Sequence, residues 1–324
     1  MKVCTLLVSA SLLFASAAPA AAAEDFPTKT VRLVVPSPAG SALDGFGRAL
    51  AKELTARWKQ TVFVESKAGA GGTIAVTSMM NEKPDGYTLF LPNEQILVNN
   101  RFVFGQLPYD PDKSFTYITQ VVHADQMIAA TADVPFEDFA GFLAYAKANP
   151  DALNYGMWSP GSSPNLALET LKRDAGINLT AIPYRGVGPV MLAMTSGEVQ
   201  LTVMSAPTGA PLFDSGKAIP LAATSPVRSP LHPNVPTTAE LGYPHVVAGT
   251  WYGLVGPAGM SPELVDKIYR DVRDIVTQPD FFERYPAFKG WNAIAGTPAE
   301  MIEAVKKQVP VTQEMMKTAG VEPQ

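Results

Sequence analysis

The sequence predicts an α/β protein of two lobes, each a mainly parallel sheet with helices on both faces. Three observations carry this. Short β-branched apolar runs alternate with segments whose apolar residues recur every three to four positions, the pattern of strand–helix–strand units. The alternation begins at Val31 and restarts after about residue 125. Hydrophobic residues make up 47% of 324, enough for a packed core in a chain long enough to divide in two.

Val31–Val35 reads as the first strand and 36–40 as a turn. A helix follows, with Leu43, Phe46, Leu50 and Leu54 along one face. "TVFVES" is a strand, "KAGAGG" a loop, "TIAVTSMMNEKP" a helix and "YTLFLP" a strand. In the second half "QMIAAT", "LNYGMW", "LTAIPY", "VQLTVMS" and "AIPLAAT" read as strands. "FEDFAGFLAYAKANP", "SPNLALETLKRDAG" and "PVMLAMTSGE" read as the helices among them. "VVAGTWYGLVGP" is a longer apolar strand, "SPELVDKIYRDVRDIVTQ" a helix, and 298–317 a C-terminal helix. Tandem repeats, low-complexity tracts and long charge runs are absent.

The N-terminus has the pattern of an export signal. Lys2 precedes an apolar run over 3–18 and a small-residue stretch over 19–23, so cleavage is expected near Ala23, with release into the periplasm. The run is too rich in Ala and Ser for an anchor, which wants about 20 strongly apolar residues. Cys4 is the only cysteine and leaves with the signal. Disulfides, cysteine nucleophiles and thiolate metal sites are therefore excluded from the mature chain. The net charge of −5 is unclustered, which argues against nucleic acid or an anionic membrane surface as partner.

Enzyme signatures are missing. There is no G-x-S-x-G elbow, no H-E-x-x-H and no phosphate loop ending in G-K-[ST]. His123, His232 and His245 have no metal-ligand spacing, and Gly69, Gly71 and Gly72 lack the lysine of a nucleotide loop. Neither a metal nor a cofactor is expected.

Helix starts are the stronger feature. Ser41 with Asp44 resembles a capping box, Ser163 precedes Pro164, and Gly188 precedes Pro189. Each follows a strand and a turn, at the sheet edge where open α/β sheets bind ligands. Free N–H groups and the positive dipole end make such a start an anion site. One lobe offers 37–42, the other 159–163 and 185–188. Arg185, in "PYRGVGP", can hold a carboxylate bidentately. Asp44 can accept from a ligand donor or a bridging water. Trp158, Tyr184, Trp251 and Tyr252 fall near strand ends around the expected cleft.

The ordered motifs "VRLVVPSPAGSALDGFGRALA", "VFVESKAGAGGTIA", "PDGYTL", "LPYDPDKSFTYIT", "LNYGMWSPGSSPNLALE", "IPYRGVGP", "TSPVRSPLHPNVPTTAELGYP" and "TWYGLVGPAGMSPELV" resemble the periplasmic solute-binding proteins of tripartite tricarboxylate transporters, the Bug family. The resemblance spans 26–324. It implies a type II periplasmic-binding fold closing on a small organic carboxylate, with crossover strands near 121–130 and 246–255. The lobes are placed at 24–124 with 251–324, and at 125–250. It implies a ligand cradle of Ser37, Pro38, Ala39, Gly40, Ser41 and Asp44, faced by Ser162 and Ser163 and by Tyr184, Arg185 and Gly186. It also implies integral-membrane transporter subunits as partners and no catalysis by the binding protein itself.

Three departures from the family pattern stand out. Ser41 replaces the second glycine of the first turn, Arg185 stands where lysine is common, and Ser205 stands where an aspartate is frequent. Loss of that carboxylate favours a ligand with a second carboxylate. Trp158, Met157, Met204 and Trp251 would wall an aromatic ring, which makes an aromatic dicarboxylate such as terephthalate or phthalate the favoured ligand. A sensor subunit for a membrane receptor and a periplasmic hydrolase are the alternative readings. A monomer is expected for a cleft that opens and closes.

Overall fold

The computed structural model describes residues 26–323 apart from 226, 230 and 289. The expected signal peptide and Cys4 lie outside the described residues. Among those described, no helix is long and apolar enough to cross a membrane.

The first half runs β1 (Val31–Val35), α1 (Ala42–Trp58), β2 (Val62–Ser66), α2 (Thr73–Met80), β3 (Thr88–Phe90), a π-type turn (Gln95–Asn99) continuing into α3 (Asn100–Val103), and β4 (Phe115–Thr131). The second lobe follows with α4 (Phe139–Ala148), β5 (Asn154–Met157), α5 (Ser163–Ala175), β6 (Thr180–Pro183), α6 (Val187–Thr195), β7 (Leu201–Ser205), α7 (Ala206–Asp214) and β8 (Ala218–Ala223). The chain returns through β9 (Gly249–Pro257), α8 (Pro262–Val276), α9 (Phe281–Arg284), β10 (Trp291–Ala293) and α10 (Pro298–Thr318).

Local chemistry explains the main helices. Ser41 accepts from the Asp44 N–H to start α1, and Lys59 closes it in the left-handed region at φ 57°. Leu43, Phe46, Leu50 and Leu54 are buried along one face, as their spacing predicts. Ser261 caps α8, and Thr297 with Glu300 forms a full capping box on α10.

β1 pairs in parallel with β2 and β3, and β9 lies antiparallel between β3 and β4. β4 is shared. Its first part, up to Asp125 opposite Gly249, belongs to the first sheet, with β10 also on it. From Gln126, opposite Ser205, it joins the second sheet between β7 and β8. β5 and β6 extend that sheet in parallel with β7. The lobes therefore meet at Asp125 and Gln126, and the return crossing falls at Ala248 and Gly249.

Each sheet buries apolar side chains on both faces. In lobe 1, α1 and α8 cover one face through Phe46, Leu50, Ile268 and Val272. The other face holds Val76 of α2, Ile96 of the π-type turn, and Met301 and Val305 of α10. In lobe 2, Phe142, Leu168 and Leu171 cover one face, and Met194 and Leu212 the other. Each such side chain contributes about 1.5–3 kcal/mol on burial. α10 begins on lobe 1 and ends on lobe 2, where Arg173 Nη1 donates to Thr318 Oγ1 at 2.6 Å.

β4, α7 and β10 are among the elements that differ from the sequence expectation. β4 begins at Phe115 rather than at 126, because Thr116, Thr119, Gln120, His123 and Asp125 interrupt any apolar run in its first part. α7 forms despite two prolines: Pro207 occupies the first turn, where its missing N–H has no partner to lose, and Pro211 lies one turn further. β10 is three residues long and exists only because β4 offers it an edge.

Candidate functional site

The registers fix which loops face one another. β1, β2 and β3 end toward the point where β4 leaves for the second lobe. β7 runs antiparallel to β4, and β5 and β6 run with it, so they end toward lobe 1. The loops after β1, β5, β6 and β7 thus border one cleft at the carboxyl ends of both sheets, the place where α/β folds bind ligands.

On lobe 1 the cradle is the loop 37–41. Pro38, Ala39 and Gly40 are exposed, and Ser37 and Ser41 are half-buried. Ser41 Oγ donates to Ser37 Oγ at 2.8 Å, so the serine that replaces a glycine braces the turn. Gly40, at φ +81°, donates its N–H to Asp44 Oδ2 at 2.9 Å. Asp44 is 2% exposed and also accepts from Arg48 Nε, Arg48 Nη2 and Ser66 Oγ. Burial alone would raise its pKa. The hydrogen bonds from Arg48, Ser66 and Gly40, with the Arg48 charge, outweigh that and hold it at about 2. Its acceptor positions are engaged within lobe 1, so Asp44 anchors the loop instead of reaching for a ligand donor.

On lobe 2 the helix starts differ in how they are capped. Ser205 accepts from the Thr208 N–H at 3.4 Å and closes the start of α7. At α5, Ser162 Oγ donates to Ser159 O at 2.6 Å, so no side chain caps the helix. At α6 the N-cap is Gly186, φ +113°, and again no side chain caps it. The first N–H groups of α5 and α6 are left to a ligand or to water. Arg185, just before α6, is exposed and has no ion pair among the described residues. Tyr184 and Trp158 are half-buried. Asn99 Nδ2 donates to Gly161 O at 3.2 Å, a direct bond from lobe 1 to the loop before α5.

A cavity of about 240 Å³ lies between the lobes against the crossover strands, lined by Glu94, Asn99, His123 and Trp251 from one side and Ser163 and Ser225 from the other. It brings together two residues named from the sequence, Ser163 and Trp251. None of the other named residues lines it; α10 supplies a further wall through Gln308, Val311, Thr312 and Met315. Trp251 lines the cavity from within the lobe 1 core. It is 5% exposed in the lobe 1 core beside Phe90 and Val255, with its indole N–H donating to Gln308 Oε1 at 2.8 Å. Met204, 1% exposed, packs inside lobe 2 with Met194 and Leu212. Met157 also packs against the lobe 2 core. Of the expected apolar wall, Met204 and Met157 face the lobe 2 core, and Trp251 and Trp158 remain. Glu94 and Asn99 went unnoticed in the sequence. Their one signal is an acidic residue shortly after the carboxyl end of β3.

A family model described as the tripartite tricarboxylate transporter family receptor matches residues 46–320. This chain belongs to that family. Receptor relatives include a Cupriavidus necator protein, "UPF0065 protein in gbd 5'region", 33% identical over 285 residues, covering 86% of this chain and 84% of that one. BugT of Bordetella pertussis is 28% identical over 301 residues, 92% of each chain. Among solved structures, R. palustris Rpa4515 with adipate matches at TM-score 0.84 and 29% identity, over 92% of this chain and 100% of that one. The periplasmic binding protein BugD matches at TM-score 0.80 and 32% identity, with the same coverage. MatC from Rhodopseudomonas palustris with bound malate matches at TM-score 0.78 and 27% identity, over 90% and 100%. The receptor thus has the two-lobed periplasmic-binding fold that the motifs implied.

Proposed function

We propose that this receptor captures a small dicarboxylate between its lobes in the periplasm and delivers it, chemically unchanged, to the membrane subunits of a tripartite tricarboxylate transporter. The observation that carries the reading is the pair of uncapped helix starts, α5 and α6, with the exposed Arg185 beside them, across from the braced loop 37–41. Uncapped N–H groups and a guanidinium suit carboxylate oxygens. The ligands of two solved relatives, adipate and malate, are both dicarboxylates. Ser205 adds no negative charge at the lobe boundary, which favours a second carboxylate over an amino group.

We infer closure as the capture step. The body 125–250 rotates on the crossings at Asp125–Gln126 and Ala248–Gly249, and ligand contacts to both lobes favour the closed form. The protein acts as a monomer. Ser162 and Ser205 have their hydroxyls on Ser159 O and Thr208 Oγ1, not on a base, which supports binding over hydrolysis. An aromatic dicarboxylate such as terephthalate or phthalate is the finer reading, supported by Trp158 after β5 and by Trp251 on the cavity wall.

The test is calorimetric titration of the mature protein with aliphatic and aromatic dicarboxylates, tricarboxylates and acidic amino acids, followed by small-angle scattering with the binder. Tight binding of a dicarboxylate with compaction is expected. Binding restricted to amino acids, or saturation without compaction, would overturn the reading.

A further inference from the structure

Glu94 is an acid in an unusual place. It follows the carboxyl end of β3 and is 7% exposed, yet it lines the cavity between the lobes. Its Oε2 has no hydrogen-bond partner among the described residues. Two backbone N–H groups, its own and that of Trp251, face its carboxyl. The cavity's opposite side carries Ser163, at the uncapped start of the 13-residue helix α5. A helix start favours negative charge, and so does a carboxylic acid that keeps its proton.

We propose that Glu94, as a neutral acid, donates a hydrogen bond to one carboxylate of the ligand, opposite the α5 start, and makes this cavity the subsite for one end of a dicarboxylate. The proposal rests on the dicarboxylate reading above and assigns one residue and one subsite within it.

The surroundings agree. Burial pushes the Glu94 pKa up to about 8, against the two backbone donors. His123 is the only other titratable side chain on the cavity wall, and its Nδ1 faces Asp125 Oδ1 at 3.0 Å. From β9, Tyr252 is buried, with its hydroxyl pushed well above the usual range by burial and by the Glu94 charge. No lysine or arginine lines the cavity to hold Glu94 ionised. An O–H donating to a carboxylate makes a short, charge-assisted bond.

The sign is fixed. The ligand needs Glu94 protonated, so affinity is flat below the pKa and falls as pH rises through about 8. Adipate and malate serve as probes, titrated calorimetrically at pH 6, 7, 8 and 9 in two buffers of different ionisation enthalpy. Binding about tenfold weaker at pH 9 than at pH 7 is expected, with close to one proton taken up per ligand at pH 9. The Glu94→Gln variant keeps a donor and loses the ionisation, so its affinity is flat over this range and proton uptake disappears. Proton uptake in the unmodified protein reads the same chemistry should the variant not fold. Probes that bind with flat affinity and no proton uptake overturn the role of Glu94 and leave the dicarboxylate reading standing. Failure of both probes to bind folded protein at pH 6 overturns both.

Discussion

Replacing Asp44 by Asn separates loop anchoring from ligand contact. The carboxylate sits at about 2 in the folded protein against an ordinary 3.8, a difference worth about 2 kcal/mol of stability at neutral pH. Arg48 is 56% exposed, so solvent screens part of the ion pair, and about 1–2 kcal/mol is expected to remain. Because the folded pKa is depressed, this stability is present above 3.8 and lost as pH falls through about 2. Urea or thermal unfolding of both proteins at pH 7 should show the variant weaker by that amount, a Tm lowered by a few degrees. At pH 2 the gap should shrink, since the unmodified carboxylate is then losing its charge. Binding should weaken through the freed Gly40 N–H and the slackened loop 37–41, with no new pH dependence above pH 5. Equal stability at pH 7, or a gap unchanged at pH 2, would show that Asp44 does not hold the loop electrostatically.

Three further outcomes follow from the same coordinates. Phe46→Ala removes a fully buried ring that meets Phe281, Phe288 and Trp291 with centroids 6.3, 5.5 and 5.3 Å away, and a loss of about 3–5 kcal/mol is expected in urea unfolding. Gly161→Ala places a Cβ 2.7 Å from Met316 Cε and 3.0 Å from Val103 Cγ2 at φ +72°, so about 1–3 kcal/mol of destabilisation and faster amide exchange at the end of α10 are expected. Arg185→Ala changes an exposed side chain, so stability should hold within about 0.5 kcal/mol while calorimetric affinity for a dicarboxylate falls about tenfold or more.

Much of the scaffold was legible in one dimension. The alternation of periods two and 3.6 marked β1, α1, α5 and α8, because amphipathic spacing and capping residues are local properties. The ordered motifs identified the family, and the turns after the strands named the loops that border the cleft. The sequence reading left α7 unassigned and began β4 at 126, because polar residues break up the first part of that strand.

What only the tertiary structure decided is the direction of each side chain at the lobe boundary. Met204 was an apolar residue near a strand end, equally suited to a cleft wall or a core, and the packing of α6 and α7 on lobe 2 sent it inward. Asp44 was a polar residue on a helix start, and its burial against Arg48 and Ser66 turned it toward its own loop. Glu94 carried only its place shortly after β3; it became notable when β3, α5 and the crossover strands met around it and left one of its oxygens without a partner. Residue type and spacing determine which surfaces are apolar and where helices begin. Which of those surfaces touch depends on contacts far apart along the chain, and these exist only once the two lobes have packed.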